Sequence, residues 1–206
     1  MDAARADLWL LDAAAVDAAL AAEWLSAMGP GERHRYHGFK RPARRAQFLA
    51  GRMLLRRALM EAAGIAPHAL EVCERPGAAP ELRVAHGARA PYFSLSHSGH
   101  WIACAVSAAT PLGVDIEIMD AARDIAALSA QAFTEAEAAA IAALPEPGRV
   151  PAFYALWSRR EAEYKLGSAP SHFHAVSHPE LSVALCTALP LQSSMLHTHR
   201  VRAQDW

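Results

Sequence analysis

The run Leu112 to Ile118 alternates without interruption, with Leu112, Val114, Ile116 and Ile118 on one side and Gly113, Asp115 and Glu117 on the other. A period of two belongs to a β-strand, since apolar positions on a helix recur every three or four residues. The pattern predicts a half-buried strand with Asp115 and Glu117 on its open face. Their backbone positions are about 6.5–7 Å apart, near enough for both carboxylates to meet on one hard cation. A solvated strand face accounts for the same pair equally well. Gly113 precedes them on that face, where a missing side chain lets a ligand or another backbone come close.

The rest of the chain is cut into short elements by proline and glycine. Helical patterning over 13–27 is predicted to stop at Gly29 and Pro30, and a longer helix is predicted from Pro42 to Ala63. Its apolar face is Phe48, Gly51, Leu55, Leu59 and Ala62, and Arg45, Arg52 and Arg56 form an adjacent stripe facing a shared neighbour. Tyr92 to Ser96 and Trp101 to Ser107 read as a hairpin turning at Ser98, Gly99 and His100. Helices are expected over 120–144, with a capping box at Thr134 to Glu137, and from Pro151 to Leu166 after a break at Pro145, Pro147 and Gly148. Strands follow at Leu181 to Leu185 and near His197 to Arg202. The fold class is α+β, in two roughly equal halves, 1–109 and 110–206.

Composition limits what such a fold can do. No stretch of the 206 residues approaches the ~20 apolar residues of a membrane span, and Asp2, Arg5 and Asp7 do not make a secretory signal, so a cytoplasmic location is expected. Cys73, Cys104 and Cys186 are too few and too scattered for a disulfide framework or a cysteine-based zinc site. The net charge of −1 hides an asymmetry: Arg33 to Arg57 holds nine Lys or Arg and no acid, leaving the remainder at −10. Such a block favours a local anionic ligand over a polyanion wrapped around the protein.

Other residues suit work on phosphate. Trp157, Glu161 and Lys165 are four apart and share a helical stripe. Glu161 and Lys165 alone make an ordinary surface ion pair, but the large aromatic one turn away points to a packed cleft. His97 stands at the end of a hairpin strand beside Ser96, Ser98 and Gly99, a cradle of hydroxyls, imidazole and amides for a phosphate. His172, His174 and His178 read as a loop cluster with poor spacing for zinc.

Three segments, FSLSHSGHW (Phe93 to Trp101), GVDIE (Gly113 to Glu117) and WSRREAEYK (Trp157 to Lys165), together resemble the larger, monomeric class of 4'-phosphopantetheinyl transferases. The basic stretch Phe39 to Arg56 is similar to that family's coenzyme A phosphate-binding region. The likeness departs at Ser94, where asparagine is frequent, at Arg160, where lysine is usual, and at Ala78, Ala79 and Pro80, where a GlyLysPro-like motif is common.

The resemblance implies two similar halves related by a pseudo-twofold axis, the first binding coenzyme A phosphate and the second carrying the metal and catalytic residues. It implies Mg2+, with Mn2+ accepted, held by Asp115, Glu117 and Glu161. Ser96, His97 and Lys165 would contact the phosphates, and Lys40, Arg41, Arg45 and Arg52 would neutralise the 3'-phosphate. The implied reaction moves 4'-phosphopantetheine from coenzyme A to a serine of an acyl or peptidyl carrier protein, with Glu161 as base and Lys165 and Asp115 beside it. The partners are then the coenzyme and the carrier, without nucleic acid or membrane, and the protein is expected to be a monomer. Two alternatives remain: a coenzyme A-binding relative without transfer activity, and a nucleic-acid-binding protein using the Arg33 to Arg57 block.

Overall fold

The computed structural model describes residues 4–73, 75, 80–87, 89–167 and 170–206. The positions of Ala78 and Ala79, where the GlyLysPro-like motif would stand, lie outside them. The chain runs β1 (Ala6–Asp12), α1 (Ala18–Ser26), α2 (Pro30–Gly38), α3 (Pro42–Ala63), β2 (Leu70–Cys73), β3 (Glu81–Val84), β4 (Tyr92–Ser98), β5 (Trp101–Ser107), β6 (Leu112–Ile118), α4 (Ile125–Ala132), α5 (Glu135–Ala142), α6 (Glu146–Leu166), β7 (His172–Ala175), β8 (Leu181–Thr187) and β9 (Leu196–Arg202). The class is α+β, as the sequence indicates.

Two sheets pack together between two long helices. The first has the order β4-β5-β1-β9 and the second β6-β8-β7. Within them β4-β5-β1 and β7-β8-β6 repeat one antiparallel connectivity. Ala6, Leu8, Leu10, Ala103 and Ala105 of the first sheet meet Val114, Ile116, Val183 and Leu185 of the second. On the outer face of the first sheet Trp9, Leu11, Ile102 and Cys104 pack on Leu55, Ala58 and Leu59 of α3. The second sheet offers Ala184 and Cys186 to Ala162 and Leu166 of α6.

Several elements differ from expectation. β1 is buried on both faces, so its apolar residues run consecutively instead of alternating and carry no periodic signal. Gly29 and Pro30 end one helix and also begin the next, as N-cap and first residue of α2; proline suits that position because its missing N–H has no helical partner there. For the same reason Pro145 and Pro147 start α6 rather than break the chain, and the helix begins at Glu146 with Pro151 inside it. β6 is not half-open, because α6 covers the face that carries Gly113 and Asp115 and buries both. His172 and His174 lie on β7 rather than in a loop. α3 spans its expected limits, and the capping box at Thr134 and Glu137 is present.

β9 returns from the C-terminal end to pair in parallel with β1, setting Asp7 opposite His197 and Trp9 opposite His199. Asp7, 5% exposed, accepts two hydrogen bonds from Arg5 at 2.9 Å each and lies 3.1 Å from Nε2 of His199 and 3.4 Å from Nδ1 of His197. Burial alone would raise its carboxyl, but the Arg5 and His199 contacts outweigh it and hold the group below its ordinary value. A carboxyl depressed on folding stabilises above its unfolded value, and that contribution disappears as pH falls through the folded one. Asp7→Asn should therefore flatten the acid limb of stability, read as the urea midpoint from neutral pH to about pH 3. An unchanged acid limb would remove Asp7 from this role.

Candidate active site

The close docking of α6 on β6 builds the site. Gly113 makes it possible: a Cβ there would lie 2.1 Å from the carbonyl oxygen of Ala162 and 2.6 Å from the amide of Leu166. Strand and helix run in opposite directions, so Lys165 reaches Asp115, while Trp157, two turns earlier, lies beside Glu117 and works against the rise of its carboxyl. Glu161 is half-buried on the same helical stripe, between those two contacts.

Lys165 is held at three points. Its Nζ donates to Asp115 Oδ1 at 2.8 Å, Ser96 Oγ at 3.0 Å and the Val114 carbonyl at 3.1 Å, matching the three protons of an ammonium. Ser96 donates in turn to Asp115 Oδ1 at 2.8 Å. The other oxygen of Asp115, Oδ2, is buried without a hydrogen-bond partner. An unpaired buried carboxylate oxygen costs stability until a donor or cation reaches it.

Glu117 supports the same conclusion. Ser98 donates to its Oε2 at 2.8 Å, yet burial, followed by the charge of Asp115, pushes its carboxyl above its ordinary value despite Ser98, Trp157 and Lys165. Two crowded carboxyls, one raised and one with an orphan oxygen, favour a cation between them. Among the described residues no three His, Cys, Asp or Glu side chains gather into a metal-binding group, so Glu161 does not close a three-ligand cage with Asp115 and Glu117. The residues fit a hard cation that takes two carboxylates and fills its remaining positions with water or substrate oxygen.

The basic block divides into two parts. Arg52 and Arg56 are buried against Glu32: Nη2 of Arg56 lies 2.5 Å from its Oε2 and Nε of Arg52 3.6 Å from its Oε1. Glu32 is thus the shared neighbour of two of the three stripe arginines. Arg52 also lies over the Phe48 ring, while Arg45 donates to the Phe39 carbonyl and lies over Tyr36. Arg57 pairs with Glu61 at 2.7 Å, and Arg33 donates to the Met28 carbonyl. Much of the block therefore fastens α2, α3 and their loops together. Lys40 and Arg41 are exposed where α3 begins.

Within the basic block, the residue that reaches the serine-bearing strand β4 is Arg44, which was not among the expected site residues. Its guanidinium contacts Nε2 of His97 and donates to Gln47 at 2.7 Å, while Gln47 reaches the Gly99 carbonyl at 2.8 Å. Desolvation and then the charge of Arg44 hold the His97 imidazole below its ordinary value. Arginine only donates, so Nε2 is the acceptor in this contact. A helical offset of three between Arg44 and Gln47 was the available signal; the hairpin they touch was not visible from it.

Arg160 forks onto Glu137 with two 2.7 Å bonds and donates to the Ala132 carbonyl at 2.9 Å, tying α6 to α5. Nη2 alone reaches both Glu137 oxygens while Nη1 serves Ala132, two partners that a single ammonium nitrogen would have to share. In the cluster of His172, His174 and His178, Nδ1 of His178 accepts the amides of Glu180 and Leu181, and His174 meets Thr187. No described helix is long and apolar enough to cross a membrane.

Comparison with known proteins gives the site a context. A family model described as the 4'-phosphopantetheinyl transferase superfamily matches residues 111–189, which hold Asp115, Glu117, Glu161 and Lys165. The 4'-phosphopantetheinyl transferase AcpT of Salmonella typhimurium is 35% identical over 163 residues, covering 71% of this chain and 79% of its own. AcpT of Escherichia coli K12 is 30% identical over 161 residues, covering 71% and 77%. A putative 4'-phosphopantetheinyl transferase of Synechocystis is 31% identical over 138 residues, and there the match covers 67% of this chain and 54% of the relative. The chain thus spans about half the length of that protein, and 55% of HetI from Nostoc.

Proposed function

The chain belongs to the 4'-phosphopantetheinyl transferase superfamily, and we propose that it transfers 4'-phosphopantetheine from coenzyme A to a serine hydroxyl of an acyl or peptidyl carrier protein. The observation that carries this reading is the orphan Oδ2 of buried Asp115, beside Glu117 and backed by Lys165. Asp115 and Glu117 would hold Mg2+ or Mn2+, with the remaining positions filled by water or substrate oxygen. Such an ion supplies charge neutralisation at the coenzyme's pyrophosphate.

The chain's own residues account for the remaining chemistry. Glu161 takes the proton of the carrier serine, directly or through water, as the serine oxygen forms a bond to the β-phosphorus of coenzyme A. The bond from that phosphorus to the bridging oxygen breaks, and 3',5'-adenosine bisphosphate leaves with the electron pair. Lys165 exchanges one of its three internal contacts for a phosphate oxygen and balances the growing charge there. Ser96 keeps Asp115 in place. His97 and Arg44 face the phosphates from β4 and α3, and exposed Lys40 and Arg41, with Arg45 and Arg52 behind them, supply positive potential for the 3'-phosphate. No step requires covalent attachment to the enzyme.

Residues 1–109 and 110–206 are read as the coenzyme-binding and metal-binding halves, related by a pseudo-twofold axis. The repeated β4-β5-β1 and β7-β8-β6 connectivity supports that division, with β9 returning to the first sheet. The protein is read as a cytoplasmic monomer.

The test is mass spectrometry of an apo carrier protein incubated with the protein, coenzyme A and Mg2+. Transfer adds about 340 Da to the carrier, and only when the metal is present. A carrier of unchanged mass beside a protein that retains coenzyme A identifies a binder without transfer activity, and the proposal fails.

A further inference from the structure

Three hydroxyls join the two sheets where backbone carbonyls would ordinarily pair. On β4, Ser94, Ser96 and Ser98 point the same way at every second residue, and their Oγ atoms accept the amides of Val114, Ile116 and Ile118 at 3.0, 3.3 and 3.0 Å. A carbonyl in such a seam could only accept. A hydroxyl that accepts still has a proton to give.

Where that proton goes depends on the β6 residue preceding each amide. Ser96 meets Asp115 and Ser98 meets Glu117, each at 2.8 Å, whereas the residue in register with Ser94 is Gly113, which has no side chain. The seam thus repeats one motif three times, twice with a carboxylate and once without. Asp115 has a second restraint in Lys165. Glu117 is half-buried near the end of β6, and Ser98 is the donor that meets its carboxylate.

We propose that Ser98 is a positioning residue for the divalent cation: its hydroxyl fixes Glu117 Oε2 and thereby turns Oε1 toward Asp115, while Ser94 serves the seam alone. The proposal rests on the reading of Asp115 and Glu117 as cation ligands. A carboxylate that must find its orientation only when the ion arrives loses rotamer freedom on binding, and a hydroxyl that has already oriented it removes that cost.

Because Ser94 makes the same seam bond without a carboxylate, it separates positioning from stability. Mn2+ binding can be followed by the electron paramagnetic resonance of the free ion, with coenzyme A present and carrier absent so that no turnover occurs. Ser98→Ala is expected to weaken Mn2+ binding about tenfold or more, and Ser98→Thr, which keeps the hydroxyl, to restore it. Ser94→Ala should lower the melting temperature as much as Ser98→Ala does, with Mn2+ affinity unchanged. If Ser98→Ala does not fold, Ser98→Cys, with a thiol as the weaker donor, takes its place in the comparison. Wild-type affinity in the Ser98 variant, or equal losses in both alanine variants, overturns the positioning role while leaving the cation site standing. A wild-type protein that takes up no Mn2+ overturns the cation site itself and this proposal with it.

Discussion

Alanine at position 113 is expected to lift helix α6 off strand β6. The added Cβ would stand 2.1 Å from the Ala162 carbonyl oxygen and 2.6 Å from the Leu166 amide, and both are backbone atoms of the last turn of α6. A flexible side chain could swing aside, but helical backbone moves only as a unit. Overpacking of this kind costs about 3 kcal/mol or more. For a chain of this length that corresponds to a fall in melting temperature of roughly 10 °C. Thermal denaturation followed by circular dichroism measures it, and a fall of less than about 2 °C would mean that helix and strand tolerate more separation than Gly113 implies. Transfer should decline further than stability. Glu161 and Lys165 ride on α6, and an ångström of displacement separates Lys165 from Asp115.

The second large effect is chemical. Glu161→Gln should slow carrier loading about 10²- to 10⁴-fold, the range lost when a general base is removed, and leave the melting temperature within about 2 °C of wild type. The two expectations separate because Gln keeps the volume of a half-buried side chain and removes only its charge and proton affinity. Asp115→Asn makes a useful contrast. It should also be inactive, but it strips the charge from a carboxylate that is 4% exposed and bonded to both Lys165 and Ser96, so it loses stability as well. Undiminished loading by the Glu161 variant, measured as carrier mass gained per minute, would remove Glu161 from the role of base.

The sequence showed most clearly the elements whose evidence is local. α3 could be read because its apolar spacing, a proline at its start and a glycine after its end all lie within one segment. The β4–β5 hairpin was visible from the turn residues Ser98, Gly99 and His100; the strand continues through Ser98, and the turn closes at Gly99, with φ +55°, and His100. β1 was invisible, since a strand buried on both faces has no alternation, and its parallel partner β9 lies some 190 residues further on. The short strands β2, β3 and β7, of four residues each, are too brief for a period to register.

The site divides in the same way. Asp115 and Glu117 on one strand face, Glu161 and Lys165 on one helical stripe, and serines at every second position of β4 were all present in residue spacing, because side-chain direction along a strand or helix follows from backbone geometry. Which of these faces meet was decided by contacts across 19 to 69 residues, from Ser96 to Asp115 and from Ser96 to Lys165. The same holds for the arginines: spacing placed Arg45, Arg52 and Arg56 on one stripe, but only the packing of α2 against α3 turned Arg52 and Arg56 to Glu32 and left Arg44 beside His97. Periodicity records the direction of each side chain relative to its own element, whereas its partner depends on how separate elements pack, and no short window of sequence contains both sides of that contact.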